Sequence, residues 1–249
     1  MEEQGETRSK HESWPQPVRY VGFDLDGTLI DTMSHHYALF GAFMHERLGI
    51  DPEEAGAYYR ATAGESTTRQ IASLLERCGI GLDGKSLEQL GQEADILLEH
   101  AEGEPFAETA ETLQKLKEQG WKVFVSSSHP TAAIATILTK HHLEKFVDFF
   151  AGTDPDDPAF RKGDTHFRAA AERFGVPYGD FVREAVFIGD GLSDVEAAER
   201  SGVRSIGRIG TRKKEELLTH GARAAVNSFE DLPELLAHPA ALERKSKES

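Results

Sequence analysis

The chain has a single cysteine, Cys78, among 249 residues, so no intrachain disulfide can form and a reducing, cytoplasmic setting is expected. No apolar run approaches the ~18 residues that a membrane-spanning helix needs. Basic residues are scarce: 28 Lys and Arg against 43 Asp and Glu give a net charge of -15. That excess argues against nucleic acid and anionic membrane as partners. It also repels any phosphate-bearing ligand at long range, so a local cation must do the attracting. Residues 1–17 lack the apolar stretch of a signal peptide and read as a disordered tail, and residues 239–249 as a second polar tail. The rest, with 39% hydrophobic residues overall and a mean hydropathy of -0.47, suffices for a packed core. The length exceeds the usual single domain, so one large domain or one domain with an insert is expected, the oligomeric state being left open.

Short apolar runs alternate with helical patterns. Strands are expected at Arg19–Phe23, Trp121–Val125, Phe146–Ala151, Ala185–Ile188 and Val203–Ile206, with an edge strand at Ala224–Val226. Near-continuous apolar strands of this kind belong to a parallel sheet covered on both faces. Between them, Phe167, Ala170, Ala171 and Phe174 follow i, i+3, i+4, i+7, and Gly175 stops that helix. From Thr32 to about Pro105 the pattern is helical throughout, without a strand-like run. This predicts a helical insert over 33–105, hung over the end of the first strand, with the core made from 18–32 and 106–238.

That first strand runs into Asp24-Leu25-Asp26-Gly27-Thr28-Leu29-Ile30-Asp31. Residues two apart on a strand point the same way, so Asp24 and Asp26 can present two carboxylates to one spot. Gly27 permits a turn that a Cβ would obstruct. Two acids at one point repel unless a cation or a shared proton separates them. One reading is a Mg²⁺ site in which one carboxylate attacks and the other shuttles a proton; a solvated Asp-Gly turn fits the same residues.

Four motifs in order decide between these. Asp24 to Thr28 gives DxDGT, Ser126 follows the second core strand, Lys162 precedes a helix, and Gly189-Asp190-Gly191-Leu192-Ser193-Asp194 gives GDxxxD. Together they resemble the haloacid-dehalogenase superfamily, in its phosphatase branch with a helical cap inserted after the first motif. The resemblance covers about Arg19 to Leu236. It implies an α/β fold: a Rossmann-like parallel sheet with helices on both faces and an inserted cap. It also implies a Mg²⁺-dependent phosphoric monoester hydrolase acting on a small phosphorylated metabolite. In that frame Asp24 is the nucleophile and Asp26 the general acid and base. Ser126 donates to a phosphoryl oxygen, with the Ser127 backbone N–H beside it, and Lys162 sets a positive charge against Asp24 and the phosphoryl group. Mg²⁺ is held by Asp24, the Asp26 carbonyl and Asp190, with Asp194 steadying the shell.

Within the insert, Gly64-Glu65-Ser66-Thr67-Thr68-Arg69 is a candidate substrate loop, because the Arg69 guanidinium can fork onto an oxyanion; a surface Arg after a loop and cap fits as well. Asp31 is expected to cap the first insert helix. The pairs His35-His36 and His141-His142 do not share a helix face, which argues against zinc. Gly191 and Gly163 stand where related phosphatases commonly have a hydroxyl residue and Pro, and neither change removes a metal ligand. The presence of Asp26 argues against a dehalogenase. A sugar-phosphate mutase would use the same motifs, and a non-catalytic phosphate-metabolite binding protein could keep the scaffold.

Overall fold

Alternation along the strands builds the sheet's two faces. In the computed structural model, which describes residues 17–62, 65–99, 103–154 and 156–237, β1 (Tyr20–Phe23) is buried along its whole length. Val21 and Phe23 join Val123, Val125, Val186, Ile188 and Ile206 in one apolar cluster. Tyr20 joins Phe124, Phe187, Phe167 and Phe181 in another, on the opposite face. Gly22, two residues after Tyr20, lies on that second face, and the Phe124 ring fills the space where a Cβ would stand.

After β1, a two-residue strand β2 (Ile30–Asp31) pairs antiparallel with β3 (Glu104–Pro105), where the chain leaves and re-enters the core. The main sheet continues with β4 (Lys122–Pro130), β5 (Phe149–Thr153), β6 (Ala185–Gly189), β7 (Arg204–Arg208) and β8 (Ala224–Val226). All its pairings are parallel, in the spatial order β5-β4-β1-β6-β7-β8. The order reverses between β1's two neighbours, β4 and β6. This is the switch point at which open α/β sheets place their ligands, beyond the carboxyl ends of the strands.

Four helices, α1 (Thr32–Leu48), α2 (Pro52–Ala61), α3 (Thr67–Cys78) and α4 (Gly84–Glu99), fill the stretch between β2 and β3. Asp31 begins α1, its carboxylate accepting the Ser34 N–H at 3.0 Å, and Asp51 begins α2 in the same way through Glu54. Phe40, Met44, Ile71, Leu74 and Leu75 close a core of their own, separate from the sheet's two clusters. The remaining helices are α5 (Thr109–Glu118), α6 (Thr131–Lys140), α7 (Asp164–Arg173), α8 (Tyr178–Glu184), α9 (Leu192–Arg200), α10 (Lys214–Thr219) and α11 (Leu232–Ala237). Leu113, Leu138 and Leu232 bring α5, α6 and α11 onto the Val21 face, while Phe167, Phe181 and Ala198 bring α7, α8 and α9 onto the Tyr20 face.

Several boundaries differ from the sequence reading, most by one or two residues, as where β7 covers Arg204–Arg208 in place of Val203–Ile206. The third core strand begins at Phe149, later than the expected Phe146, and a single 3₁₀ turn covers Glu144–Phe146. Asp148 explains the shift: its N–H donates to the Val123 carbonyl, and its carboxylate accepts the Val123 N–H and pairs with Lys117. The ladder therefore starts there. β4 runs beyond Val125 to Pro130, with an irregularity in its pairing to β5 after Ser126. β3 lies inside the stretch read as purely helical, since two residues show no periodicity. The tails over 1–16 and 239–249, and Gly64 of the candidate loop, lie outside the described residues. Among the described residues no helix is long and apolar enough to cross a membrane.

Candidate active site

β1 ends by handing Asp24 to the switch point. The Asp24 N–H donates to the Ile188 carbonyl at 2.8 Å, extending the β1–β6 ladder by one bond, and the side chain is buried. The chain then folds back on itself: the Leu25 carbonyl accepts N–H bonds from Leu29 and Ile30, and Gly27 N–H donates to the Ile30 carbonyl. Gly27 sits at φ +67°, and a Cβ there would overlap the Asp190 carboxylate. Only glycine satisfies both the backbone conformation and the space. Thr28 Oγ1 donates to Asp190 Oδ1 at 3.2 Å, so the first and fourth motifs are joined directly.

Asp24, Asp190 and Asp194 are all buried, and one oxygen from each lies within 4.8 Å of the others. Asp194 is held from the start of α9, where its Oδ2 accepts the Gly191 N–H at 2.9 Å. Lys162, just ahead of α7, reaches in with Nζ 2.6 Å from Asp24 Oδ1 and a second ion pair to Asp194. Burial, and then the Asp194 carboxylate, push the Asp24 carboxyl well above the ordinary carboxylate range, with Lys162 pulling against both. Asp190 is also raised by burial, against the hydroxyls of Thr211 and Thr28, which favour its ionised form. For Lys162, burial works against the charge, but Asp24 and Asp194 outweigh it and hold the ammonium above its ordinary value.

Three buried carboxylates against one ammonium leave two negative charges without a partner. An all-oxygen donor set carrying that surplus suits a hard divalent cation. Burial first, and then the neighbouring Asp194 carboxylate, make Asp24 and Asp190 hold protons more tightly than usual.

The other expected site residues separate into three groups. Asp26 is not one of the three clustered carboxylates: its Oδ2 lies 2.7 Å from His129 Nε2, and both side chains keep more than a third of their surface exposed. Asp26 raises His129 above the ordinary imidazole value through this hydrogen bond, although burial opposes it. Ser126, expected to donate its hydroxyl to a phosphoryl oxygen, is fully buried, with Oγ 2.9 Å from His166 Nδ1. Burial lowers His166 to about 4, so its ring is neutral. Ser127 is nearly as buried, but its Oγ accepts the His129 N–H at 3.2 Å, which leaves the hydroxyl proton free to donate. Arg69 stands apart: it is 77% exposed and pairs with Glu65 at 3.4 Å.

The sequence reading missed His129, His166 and Thr211. His129 carried no usable signal, because β4 is irregular between Ser126 and Pro130 and simple alternation does not say which way its ring points. His166 lies one helical turn after Lys162, a spacing visible only once α7 is placed. Thr211, beyond β7, had none.

Residues 18–202 match the sequence profile of the haloacid dehalogenase-like hydrolases. The chain belongs to that family. It is 31% identical over 221 residues to the phosphoglycolate phosphatase of Caulobacter vibrioides, covering 86% of this chain and 88% of that one. It is 28% identical over 191 residues to phosphoglycolate phosphatase 1 of Pseudomonas aeruginosa, covering 75% of this chain and 67% of that one. Among solved structures, a haloacid dehalogenase family hydrolase from Deinococcus radiodurans, with bound phosphate and sodium, superposes with a TM-score of 0.68. It covers 91% of this chain and 98% of that one at 20% identity, a likeness of fold. Membership and these relatives make the protein a phosphoric monoester hydrolase.

Proposed function

We propose that the protein is a Mg²⁺-dependent phosphatase that hydrolyses a small phosphorylated metabolite through an aspartyl-phosphate on Asp24. The observation that carries this is the Asp24–Lys162 contact of 2.6 Å inside a buried cluster with Asp190 and Asp194. Lys162 opposes the burial that favours a protonated Asp24 and offers positive charge to the phosphoryl oxygens, over which charge spreads in the transition state. An Asp24 oxygen forms the new P–O bond as the substrate's P–O bond breaks. Asp26 gives its proton to the departing oxygen, then takes one from the water that attacks phosphorus and frees Asp24 as the carboxylate.

The Ser127 hydroxyl and the Ser127 N–H bind phosphoryl oxygens. Ser126, engaged with His166, supports that strand end from beneath. Asp24, Asp190 and the Asp26 carbonyl would hold Mg²⁺, with Asp194 steadying them. When bound, the cation neutralises the paired charge of carboxylate and phosphate. The helical unit over 33–105 closes over the site as a cap and selects the substrate. Arg69 contributes to that selection only when its ion pair with Glu65 opens.

Phosphoglycolate heads the list of substrates because relatives bear that name. Their names also favour water over a sugar hydroxyl as the acceptor, hence a phosphatase over a mutase. A net charge of -15 argues against nucleic acid and membrane partners, and the lone cysteine favours the cytoplasm. The test is phosphate release from a panel of phosphorylated metabolites with Mg²⁺ present. Release should vanish in Asp24→Asn, and retained release in that variant would overturn the assignment.

A further inference from the structure

Asp26 has a partner that the four motifs do not account for. His129 comes from β4, within the irregular stretch between Ser126 and Pro130, and its backbone N–H is pinned to Ser127 Oγ at 3.2 Å. Its half-exposed ring reaches Asp26, with Nε2 2.7 Å from Asp26 Oδ2. An ion pair this exposed adds little to stability. Its consequence is orientation: one Asp26 oxygen is tied to a residue of the core strand β4, which restricts the rotation of the carboxyl group.

Resting on the phosphatase reading, we propose that His129 is a positioning residue for Asp26, locking its carboxyl group on the leaving-group side of the site. Only steps that use Asp26 then depend on His129. Breaking an alkyl P–O bond needs a proton on the leaving oxygen, whereas an activated aryl oxygen departs without one. General acid assistance is typically worth ~10²–10⁴-fold, and loss of orientation forfeits part of it.

The experiment measures kcat/KM for wild type, His129→Ala and His129→Gln against a series from 4-nitrophenyl phosphate through phenyl phosphate to 2-phosphoglycolate. In His129→Ala, kcat/KM for 2-phosphoglycolate should fall about 10–100-fold while that for 4-nitrophenyl phosphate changes less than about 3-fold, steepening the dependence on leaving group. His129→Gln, which keeps a donor near the Nε2 position, should restore much of the loss. An equal fall across the series, or a rise in KM alone, would make His129 a structural or substrate-contacting residue and overturn the proposal. So would an unchanged profile. Asp24→Asn run alongside separates the two levels: residual activity there sinks the phosphatase reading itself, whereas a dead Asp24→Asn with a flat His129→Ala response sinks only the role of His129.

Discussion

Lys162 Nζ lies 2.6 Å from Asp24 Oδ1 and closes a second ion pair with Asp194, so one ammonium is the counter-ion for two buried carboxylates. Removing one partner of a buried ion pair typically costs ~3–5 kcal/mol, because the other charge stays behind without compensation. Lys162→Met should therefore lower unfolding free energy by about that much, measured by urea titration at neutral pH. Adding Asp194→Asn, which removes one stranded charge, should recover part of it. Equal stability of Lys162→Met and wild type would mean that water already screens the pair.

Gly27→Ala tests the turn that joins the first motif to the fourth. At φ +67° an alanine pays the left-handed penalty of about 1–2 kcal/mol, and its methyl group must also displace the Asp190 carboxylate. Phosphatase activity should fall more than about 100-fold, since a ~1 Å misplacement at a reacting centre can cost that much. A variant with near-normal turnover would show that Asp190 has room to move without consequence.

The core was legible in the sequence because apolar runs such as Val21–Phe23 and Ala185–Ile188 are buried on both faces and carry no competing pattern. Asp24, Lys162, Asp190 and Asp194 were legible because four short motifs, each weak alone, stand in the order and at the strand ends or helix starts of the family they resemble. Ser126 and Ser127 were harder to separate. On a strand, adjacent residues face opposite ways, and nothing in Ser126-Ser127-Ser128 says which hydroxyl meets a partner. His166, forty positions away, takes Ser126, and such a long-range contact leaves no local trace. Phe149 as the start of β5 was hidden for the same reason, since Asp148 sets it through Val123 and Lys117.

Metal dependence should be visible in stability as well as in rate. Chelation should abolish most phosphate release and Mg²⁺ should restore it, with Ca²⁺, larger and less strictly octahedral, restoring little. At a Mg²⁺ concentration 100 times its dissociation constant, binding should stabilise the fold by about 2.7 kcal/mol, seen as a higher melting temperature. Asp190→Asn should shrink that shift. An enzyme fully active after exhaustive chelation would remove the cation from the reaction.

The Glu108–Arg208 pair predicts part of the acid sensitivity. Arg208 Nη1 lies 2.9 Å from Glu108 Oε1, with the guanidinium over the Phe106 and Phe229 rings. Burial works to raise the Glu108 carboxyl, but its backbone hydrogen bonds and Arg208 outweigh that and hold it below the ordinary value. A folded-state value below the unfolded one means fewer protons bound in the folded state. The stabilisation is thus present above the unfolded value, ~4.3, and is lost as pH falls through the lower folded value. Glu108→Gln should be less stable than wild type at pH 7, and the gap should close as pH falls below about 4. A gap that stays constant would mean that packing, rather than charge, holds this joint.

Asp26→Asn should separate formation of the aspartyl-phosphate from its breakdown. Asparagine keeps the shape of the side chain and can still bond to His129, but it neither gives a proton to the leaving oxygen nor accepts one from water. With an alkyl phosphate both steps suffer, so the informative substrate is an activated aryl phosphate, whose leaving group departs unaided. General acid–base assistance is worth ~10²–10⁴-fold, and only the hydrolytic step should lose it here. The variant should release one equivalent of phenol in a burst and then turn over very slowly, and mass spectrometry should find one added phosphoryl group on Asp24. Asp24→Asn should give neither burst nor adduct. A wild-type steady-state rate in Asp26→Asn would show that another group, or solvent itself, handles the proton, and the division of labour between the two carboxylates would have to be abandoned.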